Sequence, residues 1–162
     1  MEDGYRGALK QFTRESNKIE GITRAPTARE VNALTRFLNL PIVTVDDIVT
    51  LAETYEHGVV LRDQPGLDVF VGRHRPPPGG PAIPAALDTL LGTAEAGKHP
   101  FWVHHQYEEL HPLTDGNGRT GRALWLRGMH RYSETGFHQA LQLGFLHSWY
   151  YQSLHFTRMV NS

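Results

Sequence analysis

Apolar residues recur every three or four positions through the first 55 residues, which is the spacing of helix faces. The first run stops before Gly21, a residue type that favours helix ends, and its face is formed by Tyr5, Ala8, Leu9, Phe12, Ser16 and Ile19. Two more runs begin after Thr27 and Thr44, each followed three residues later by an acid in capping-box spacing. We therefore expect three helices in this part of the chain.

The pattern changes between residues 58 and 81. Residues 58–62 and 68–71 are rich in β-prone side chains, and the turn sequence Asp63-Gln64-Pro65-Gly66 separates them, which predicts a short β-hairpin. A lone two-stranded hairpin is only marginally stable, so it is either a mobile flap or a ribbon at the edge of the helices. Residues 75–81 are rich in proline and glycine and predict a loop.

Helical spacing returns after this loop, over residues 83–96 and again over 101–110. Pro112 disfavours helical geometry at His111, so the second of these helices should end there. A further helix is predicted over residues 119–132, and the aromatic-rich stretch 141–159 predicts a last one. The fold class is therefore mainly α, a helical bundle with one short hairpin. Neither a repeat nor a long linker divides residues 1–162, which we expect to form a single domain.

Composition narrows the classes of function. Hydrophobic residues make up 40% of the chain and charged residues 20%, and the net charge of −1 offers no basic excess for nucleic acid. The absence of cysteine excludes disulfides, thiolate metal sites and a cysteine nucleophile. Residues 1–10 lack the apolar stretch of a secretory signal, and no run of about 18 apolar residues predicts a membrane helix. We expect a cytoplasmic protein of a bacterium or phage host without membrane or nucleic-acid partners; delivery into a host cell stays open.

Candidate chemistry is concentrated in the turn between the two helices predicted at 101–110 and 119–132. Gly116 and Gly118 let the backbone approach a ligand closely, and the helix that begins there offers unpaired N–H groups to an anion. Asn117 is suited to cap that helix. The alternative is an ordinary helix–turn–helix junction in which the glycines only turn the chain.

Charged side chains around this turn favour the first interpretation. Arg119 and Arg122 are three residues apart and share a helix face, where two guanidinium groups suit a polyphosphate. Asp115 offers a carboxylate of the kind that Mg²⁺ (or Mn²⁺) binds together with phosphate oxygens. The imidazole of His111 is a base suited to neutral pH. The cluster predicts phosphoryl or nucleotidyl transfer, and its glycine spacing fits neither a P-loop nor a dinucleotide fingerprint.

The order of these residues resembles the signature of the Fic (filamentation induced by cAMP) family, H-P-[FL]-x-x-[DE]-G-N-G-R-x-x-R with small variations in its spacer. Here a single residue, Thr114, is the spacer, and Leu113 stands where phenylalanine is commoner. The resemblance implies the Fic fold and a protein adenylyltransferase, which moves AMP from ATP to a serine, threonine or tyrosine hydroxyl of a target protein.

The resemblance also implies a role for each residue. His111 would deprotonate the target hydroxyl, Asp115 would hold the metal ion, and Arg119 and Arg122 would grip the β- and γ-phosphates. The implied ATP-binding set is Val71, Gly72, Arg73, His74, Asp115, Gly116, Asn117, Gly118, Arg119, Thr120, Gly121, Arg122, Tyr150 and Tyr151.

Two parts of that set lie outside the signature. Residues 71–74 resemble the family's flap, which would bind the protein substrate by strand addition. Tyr150 and Tyr151 resemble a pair that lines the adenine, although Arg158 stands where the family often has asparagine, and core packing is the alternative. The family also includes homodimers, so self-association is possible.

Residues 16–21, Ser-Asn-Lys-Ile-Glu-Gly, resemble the Fic inhibitory motif [ST]-x-x-x-E-[GN]. Ser16 and Glu20 share a helix face, and the Glu20 carboxylate would pair with Arg122 in place of the γ-phosphate; Gly21 completes the motif. Residues 1–21 would then be an N-terminal inhibitory helix, and 22–162 a Fic core with a flap at about 58–74. The alternative is a plain helix that ends in Glu-Gly.

Other functions remain open. A zinc hydrolase would use His104, His105 and His111, but the H-E-x-x-H spacing is absent. Within the Fic fold, removal of AMP or transfer of UMP or phosphate are alternatives; the intact Gly-Asn-Gly-Arg order favours AMP transfer, while Glu20 leaves AMP removal open. A non-enzymatic module that only binds nucleotide is disfavoured by His111.

Overall fold

The structure is a computed structural model, and it describes residues 2–141. Seven helices make up most of this part of the chain, which confirms the prediction of a mainly helical fold. They are α1 (Glu2–Ile19), α2 (Ala28–Leu38), α3 (Val45–Tyr55), α4 (Ala82–Glu95), α5 (Pro100–Leu110), α6 (Asn117–Tyr132) and α7 (Glu134–Leu141). The helix predicted over 141–159 lies outside the described residues. Within 2–141, no helix is both long and apolar enough to cross a bilayer.

The predicted helix boundaries rest on local hydrogen bonds. Thr27 Oγ1 accepts from Glu30 N at 3.1 Å while Glu30 Oε2 accepts from Thr27 N at 2.8 Å, a complete capping box. Thr44 and Asp47 repeat the arrangement at α3. Gly21 ends α1 with φ +77°, and the amide of Ile22 donates to the carbonyl of Asn17 at 3.0 Å, which is a Schellman motif. These ends are confirmed as predicted.

Helix α6 occupies the centre of the described fold and packs against α1, α2, α3, α5 and α7. Its side chains Ala123, Trp125 and Leu126 are buried in the hydrophobic core. From the other side, Leu9 and Phe12 bring α1 into the same core. The N-terminus of α6, which follows the glycine-rich turn, is therefore held by neighbours on several sides.

Helices α5 and α6 approach closely at Gly121. A Cβ atom there would lie 3.0 Å from Tyr107 Cδ1 and 3.3 Å from His104 Cε1, so only glycine fits without displacement. Beside it, the Tyr107 hydroxyl and Thr120 Oγ1 are 2.6 Å apart, and His104 Nδ1 donates to the Gly121 carbonyl at 2.9 Å. Gly121 and Thr120 thus hold α6 in close contact with α5.

The predicted β-hairpin is not formed. Residues 60–62 pair instead with the loop between α5 and α6 (residues 111–116, hereafter the motif loop): Arg62 N donates to Pro112 O at 2.9 Å, and Thr114 N donates to Val60 O at 3.0 Å. Because the motif loop supplies these backbone partners, residues 68–71 are left to turn back on themselves. A single antiparallel bridge joins Val71 to His74, and we call residues 68–74 the flap turn.

We predict that His104 makes stability depend on pH. The side chain is 2% exposed, and burial lowers its pKa to about 3. The unfolded chain takes up a proton near pH 6.5 whereas the folded chain does not, so stability falls as the pH falls from about 6.5 towards 3, by about 2 kcal/mol at pH 5. Urea unfolding at pH 7.5 and pH 5 measures this loss.

The matched variants are His104→Asn, whose amide still donates to Gly121 but does not titrate here, and His57→Asn at an exposed histidine. We expect a flatter pH dependence for the first and the wild-type dependence for the second. Identical slopes for all three proteins would contradict the prediction.

Candidate active site

A cavity of about 690 Å³ lies between the end of α1, the motif loop, the start of α6 and the flap turn. It collects most of the residues that the sequence nominated. Those that line it are Glu20, Val71, His74, His111, Asp115, Gly116, Asn117, Gly118, Arg119 and Arg122. This one cavity therefore contains the proposed base His111, the carboxylates of Glu20 and Asp115, both arginines and the glycine-rich turn.

His111 ends α5 in a left-handed conformation, with φ 48° and ψ 63°. It is the sole non-glycine residue with positive φ between residues 2 and 141. Pro112 removes the helical alternative at this position, and such a conformation costs on the order of 1–3 kcal/mol. The surrounding contacts thus hold the imidazole in a turn that an isolated chain would rarely adopt.

The protonation state of His111 follows from its surroundings. Nδ1 donates to the Glu108 carbonyl at 3.0 Å, which leaves Nε2 as the basic nitrogen. Burial is the largest influence and lowers the pKa of His111; the positive charges of His74 and Arg62 lower it further, against the opposing effects of the Glu108 carbonyl and Glu20. At neutral pH the imidazole is uncharged and able to accept a proton.

Asn117 closes the motif loop instead of capping α6, so its predicted role is corrected. The capping position belongs to Gly116, whose φ of +75° favours glycine. The buried amide of Asn117 pairs with both backbone groups of Leu113: Oδ1 accepts from its N–H at 2.9 Å and Nδ2 donates to its carbonyl at 2.8 Å. The Leu113 side chain is itself fully buried.

Glu20 lies on the glycine turn and on Arg122. A Cβ atom at Gly118 would be 2.5 Å from Glu20 Oε1, so the carboxylate rests directly against the start of α6. Arg122 Nη2 donates to Glu20 Oε1 at 2.6 Å and to the Ser16 carbonyl at 3.0 Å, while its Nε donates to Ser16 Oγ at 2.8 Å. The structure brings Ser16, Glu20 and Arg122 together as the sequence suggested.

Arg119 lines the cavity but its guanidinium binds residues at the end of α3. Its Nη2 lies 3.3 Å from Glu56 Oε2, and its guanidinium lies over the Tyr55 ring at 5.1 Å from the centroid. The Arg119 side chain is 4% exposed. Tyr55 and Glu56 were not nominated, because more than 60 residues separate them from Arg119 in the sequence.

Several nominated residues lie away from the cavity. Thr120 and Gly121 face α5, Gly72 and Arg73 are exposed at the tip of the flap turn, and Gly21 is exposed beyond α1. Tyr150 and Tyr151 lie outside the described residues. The cavity wall also contains Asp68, Phe70 and Glu108, which the sequence did not single out.

We predict that His111 titrates below its ordinary pKa of about 6.5. Because the negative charge of Glu20 raises the pKa of His111, Glu20→Gln should lower it further. Two-dimensional ¹H–¹⁵N spectra of the imidazole nitrogens across a pH series give both values, with His111→Asn to assign the signal. A His111 pKa at or above 6.5 would contradict the prediction.

The sequence is similar to known proteins over the motif loop and the start of α6. The sequence model of the Fic/DOC family matches residues 42–127, just over half of the chain. The chain is 30% identical over 128 residues to a protein adenylyltransferase Fic of Aedes aegypti, an alignment that covers 68% of this chain and 23% of that protein.

A protein adenylyltransferase Fic of Culex quinquefasciatus shows the same identity and coverage. This chain therefore spans about a quarter of the length of these curated relatives. No solved structure gives a significant match. The match over residues 42–127 includes the motif loop and the first turns of α6, and it establishes that the chain belongs to the Fic/DOC family.

Proposed function

We propose that the protein transfers AMP from ATP to a serine, threonine or tyrosine hydroxyl of a target protein, and that Glu20 inhibits this transfer. One observation carries the proposal: the imidazole of His111 and the start of α6 line the same cavity. The names of the relatives, which are protein adenylyltransferases, agree with this chemistry.

The triphosphate would bind at the start of α6. The N–H groups of the turn and the positive end of the helix dipole attract an anion there. Arg122 is 1% exposed, and its guanidinium points to the carboxylate of Glu20, so the same donors would bind a phosphate once Glu20 leaves. Arg119 would release Glu56 to grip a second phosphate.

Asp115 fits the role of metal ligand. Its side chain is exposed to the cavity, and its Oδ1 accepts from Gly116 N at 2.7 Å, which orients the carboxylate. Residues 2–141 contain no group of three side chains able to hold a metal ion by themselves. Mg²⁺ commonly takes one carboxylate and completes its shell with phosphate and water, and when bound it would neutralise charge on the phosphates.

His111 would supply the proton transfer. Its Nε2 would take the proton of the target hydroxyl as that oxygen bonds to the α-phosphorus. The bond from the α-phosphorus to the bridging oxygen breaks, and pyrophosphate leaves with the electron pair. The products are an AMP-modified side chain and an imidazolium that returns its proton to water.

The target protein would dock on the flap turn. Val71 and Phe70 are exposed there, Phe70 to 71%, beside the cavity that they help to line. Residues 67–70 form neither helix nor strand, so a target strand could add along their backbone. Pairing of this kind uses main-chain groups and so accommodates many target sequences.

Inhibition would follow from the position of the Glu20 carboxylate. It lies against Gly118 and binds Arg122, so a γ-phosphate would meet both its negative charge and its volume. ATP would then bind with its α-phosphate turned away from the attacking hydroxyl. A misplacement of about 1 Å costs ~100-fold in rate.

The first test replaces the acid. We expect Glu20→Gly to raise the rate of AMP incorporation from radiolabelled ATP by ~100-fold. Glu15→Gly is the control, since it replaces a nearby acid of α1, which pairs with Lys18, by the same residue. Equal, weak labelling by the wild type and Glu20→Gly would sink the inhibitory role.

The second test removes the base. In the Glu20→Gly protein, His111→Ala should lower AMP transfer by ~100-fold or more while the affinity for ATP, measured by calorimetry, stays unchanged. His138→Ala, at an exposed histidine of α7, should keep the full rate. Undiminished transfer by the His111→Ala protein would exclude the imidazole as the base.

The presence of Glu20 in the cavity also favours a second candidate, the removal of AMP. Its carboxylate, beside the start of α6, would orient a water molecule for attack on an AMP-modified side chain. Incubation with an AMP-modified protein separates the two activities: removal releases AMP and is lost in Glu20→Gly, whereas transfer is gained.

A further inference from the structure

Arg62 is a fully buried arginine whose three side-chain nitrogens each donate to backbone carbonyls. Its Nε donates to His111 O at 2.6 Å, and its Nη2 donates to Leu110 O at 2.9 Å. Its Nη1 donates to Leu67 O at 3.1 Å and to Pro77 O at 2.9 Å. No carboxylate of the described residues forms an ion pair with it.

These four carbonyls belong to two separate parts of the site. Leu110 and His111 form the end of α5, where the last carbonyls lack helical partners and carry the negative end of the dipole. Leu67 and Pro77 stand on either side of the flap turn. A single planar guanidinium therefore joins the backbone of the proposed base to both ends of the proposed docking segment.

The main chain of Arg62 strengthens the same connection. Its N–H donates to Pro112 O at 2.9 Å, and its carbonyl accepts from Gly80 N at 2.9 Å. Side chain and backbone thus both reach the motif loop on one side and the segment that follows the flap turn on the other.

We propose that Arg62 is a positioning residue, which fixes the flap turn relative to the imidazole of His111. The inference rests on the proposed function, in which a target hydroxyl held at the flap turn must reach that imidazole. A shift of about 1 Å between the target hydroxyl and the imidazole costs ~100-fold in rate. The distance between the flap turn and His111 must therefore be fixed by a rigid connection. A guanidinium supplies five donors in a fixed plane, which a lysine ammonium does not match.

Arg127 provides a control for a purely structural role. It is 3% exposed and likewise donates to backbone carbonyls, to Leu40 O at 2.7 Å and Pro41 O at 3.2 Å, as well as to Glu95. None of these partners lines the candidate active site. Its replacement disturbs a comparable buried network at a distance from the flap turn.

The experiment compares Arg62→Met, Arg62→Lys and Arg127→Met, each in the Glu20→Gly protein. Three quantities are measured: the rate of AMP incorporation into protein from radiolabelled ATP with Mg²⁺, the ATP affinity by calorimetry, and the hydrogen exchange of the amides of Val71 and His74, which bond across the flap turn.

For Arg62→Met we expect a rate ~100-fold lower, an ATP affinity within about threefold because the phosphate-binding groups are untouched, and faster exchange in the flap turn. Arg62→Lys should recover part of the rate. Arg127→Met should keep the rate and the exchange of the starting protein. Equal losses in Arg62→Met and Arg127→Met, or loss of ATP affinity in step with the rate, would overturn the proposal.

Failure of the proposed function can be told apart from failure of the inference about Arg62. If the Glu20→Gly protein turns over no ATP, the proposed function fails, while hydrogen exchange at Val71 and His74 still tests whether Arg62 fixes the flap turn. Unchanged exchange in Arg62→Met would then refute that role of Arg62. If Arg62→Met does not fold, Arg62→Lys carries the same comparison, because it keeps the charge but loses the planar fork.

Discussion

Pro112 ends α5 at His111, and the left-handed backbone at His111 determines the direction in which the chain enters the motif loop and α6. The chain turns at once into the motif loop, so that α6 starts close to the imidazole at which α5 ends. Asn117 then locks the turn through both backbone groups of Leu113. Local geometry thereby brings His111 close to the start of α6, and hydrogen bonds with residues 60–62 hold the loop between them in place.

Within residues 2–141, four arginines have side chains at most 4% exposed, in a chain of net charge −1. A buried guanidinium needs partners, because an unpaired one is costly to desolvate. Arg62 and Arg127 satisfy theirs mainly with backbone carbonyls, whereas Arg119 and Arg122 hold carboxylates at the wall of the cavity. A carbonyl of the packed backbone stays in place, whereas a carboxylate can be exchanged for a phosphate. Arg62 and Arg127 are therefore suited to support the fold, and Arg119 and Arg122 to bind a phosphate.

The sequence predicted features that depend on neighbouring residues and missed those that depend on distant ones. Thr27, Thr44 and Gly21 marked helix ends correctly because their hydrogen bonds are local. The hairpin was wrong because residues 60–62 find backbone partners some 50 positions later, on the motif loop. Arg62 was overlooked for the same reason. Asn117 was expected to cap α6, but its amide pairs with the backbone of Leu113, a local alternative that the sequence did not distinguish. The grouping of Glu20 with Arg122 was readable only through the resemblance to a family, since more than a hundred residues separate them.

The Glu20 carboxylate lies against Gly118, where a phosphate of ATP is proposed to bind. The carboxylate and the phosphate would therefore compete for the same space. Because a β-carbon at position 118 would lie 2.5 Å from Glu20 Oε1, a side chain at this position would displace the proposed inhibitory carboxylate and would also occupy space proposed for the phosphate. Under the proposed function, a mutation at position 118 that relieved inhibition would therefore also weaken phosphate binding. A change at Glu20, just beyond α1, would remove the carboxylate and leave the proposed phosphate site intact.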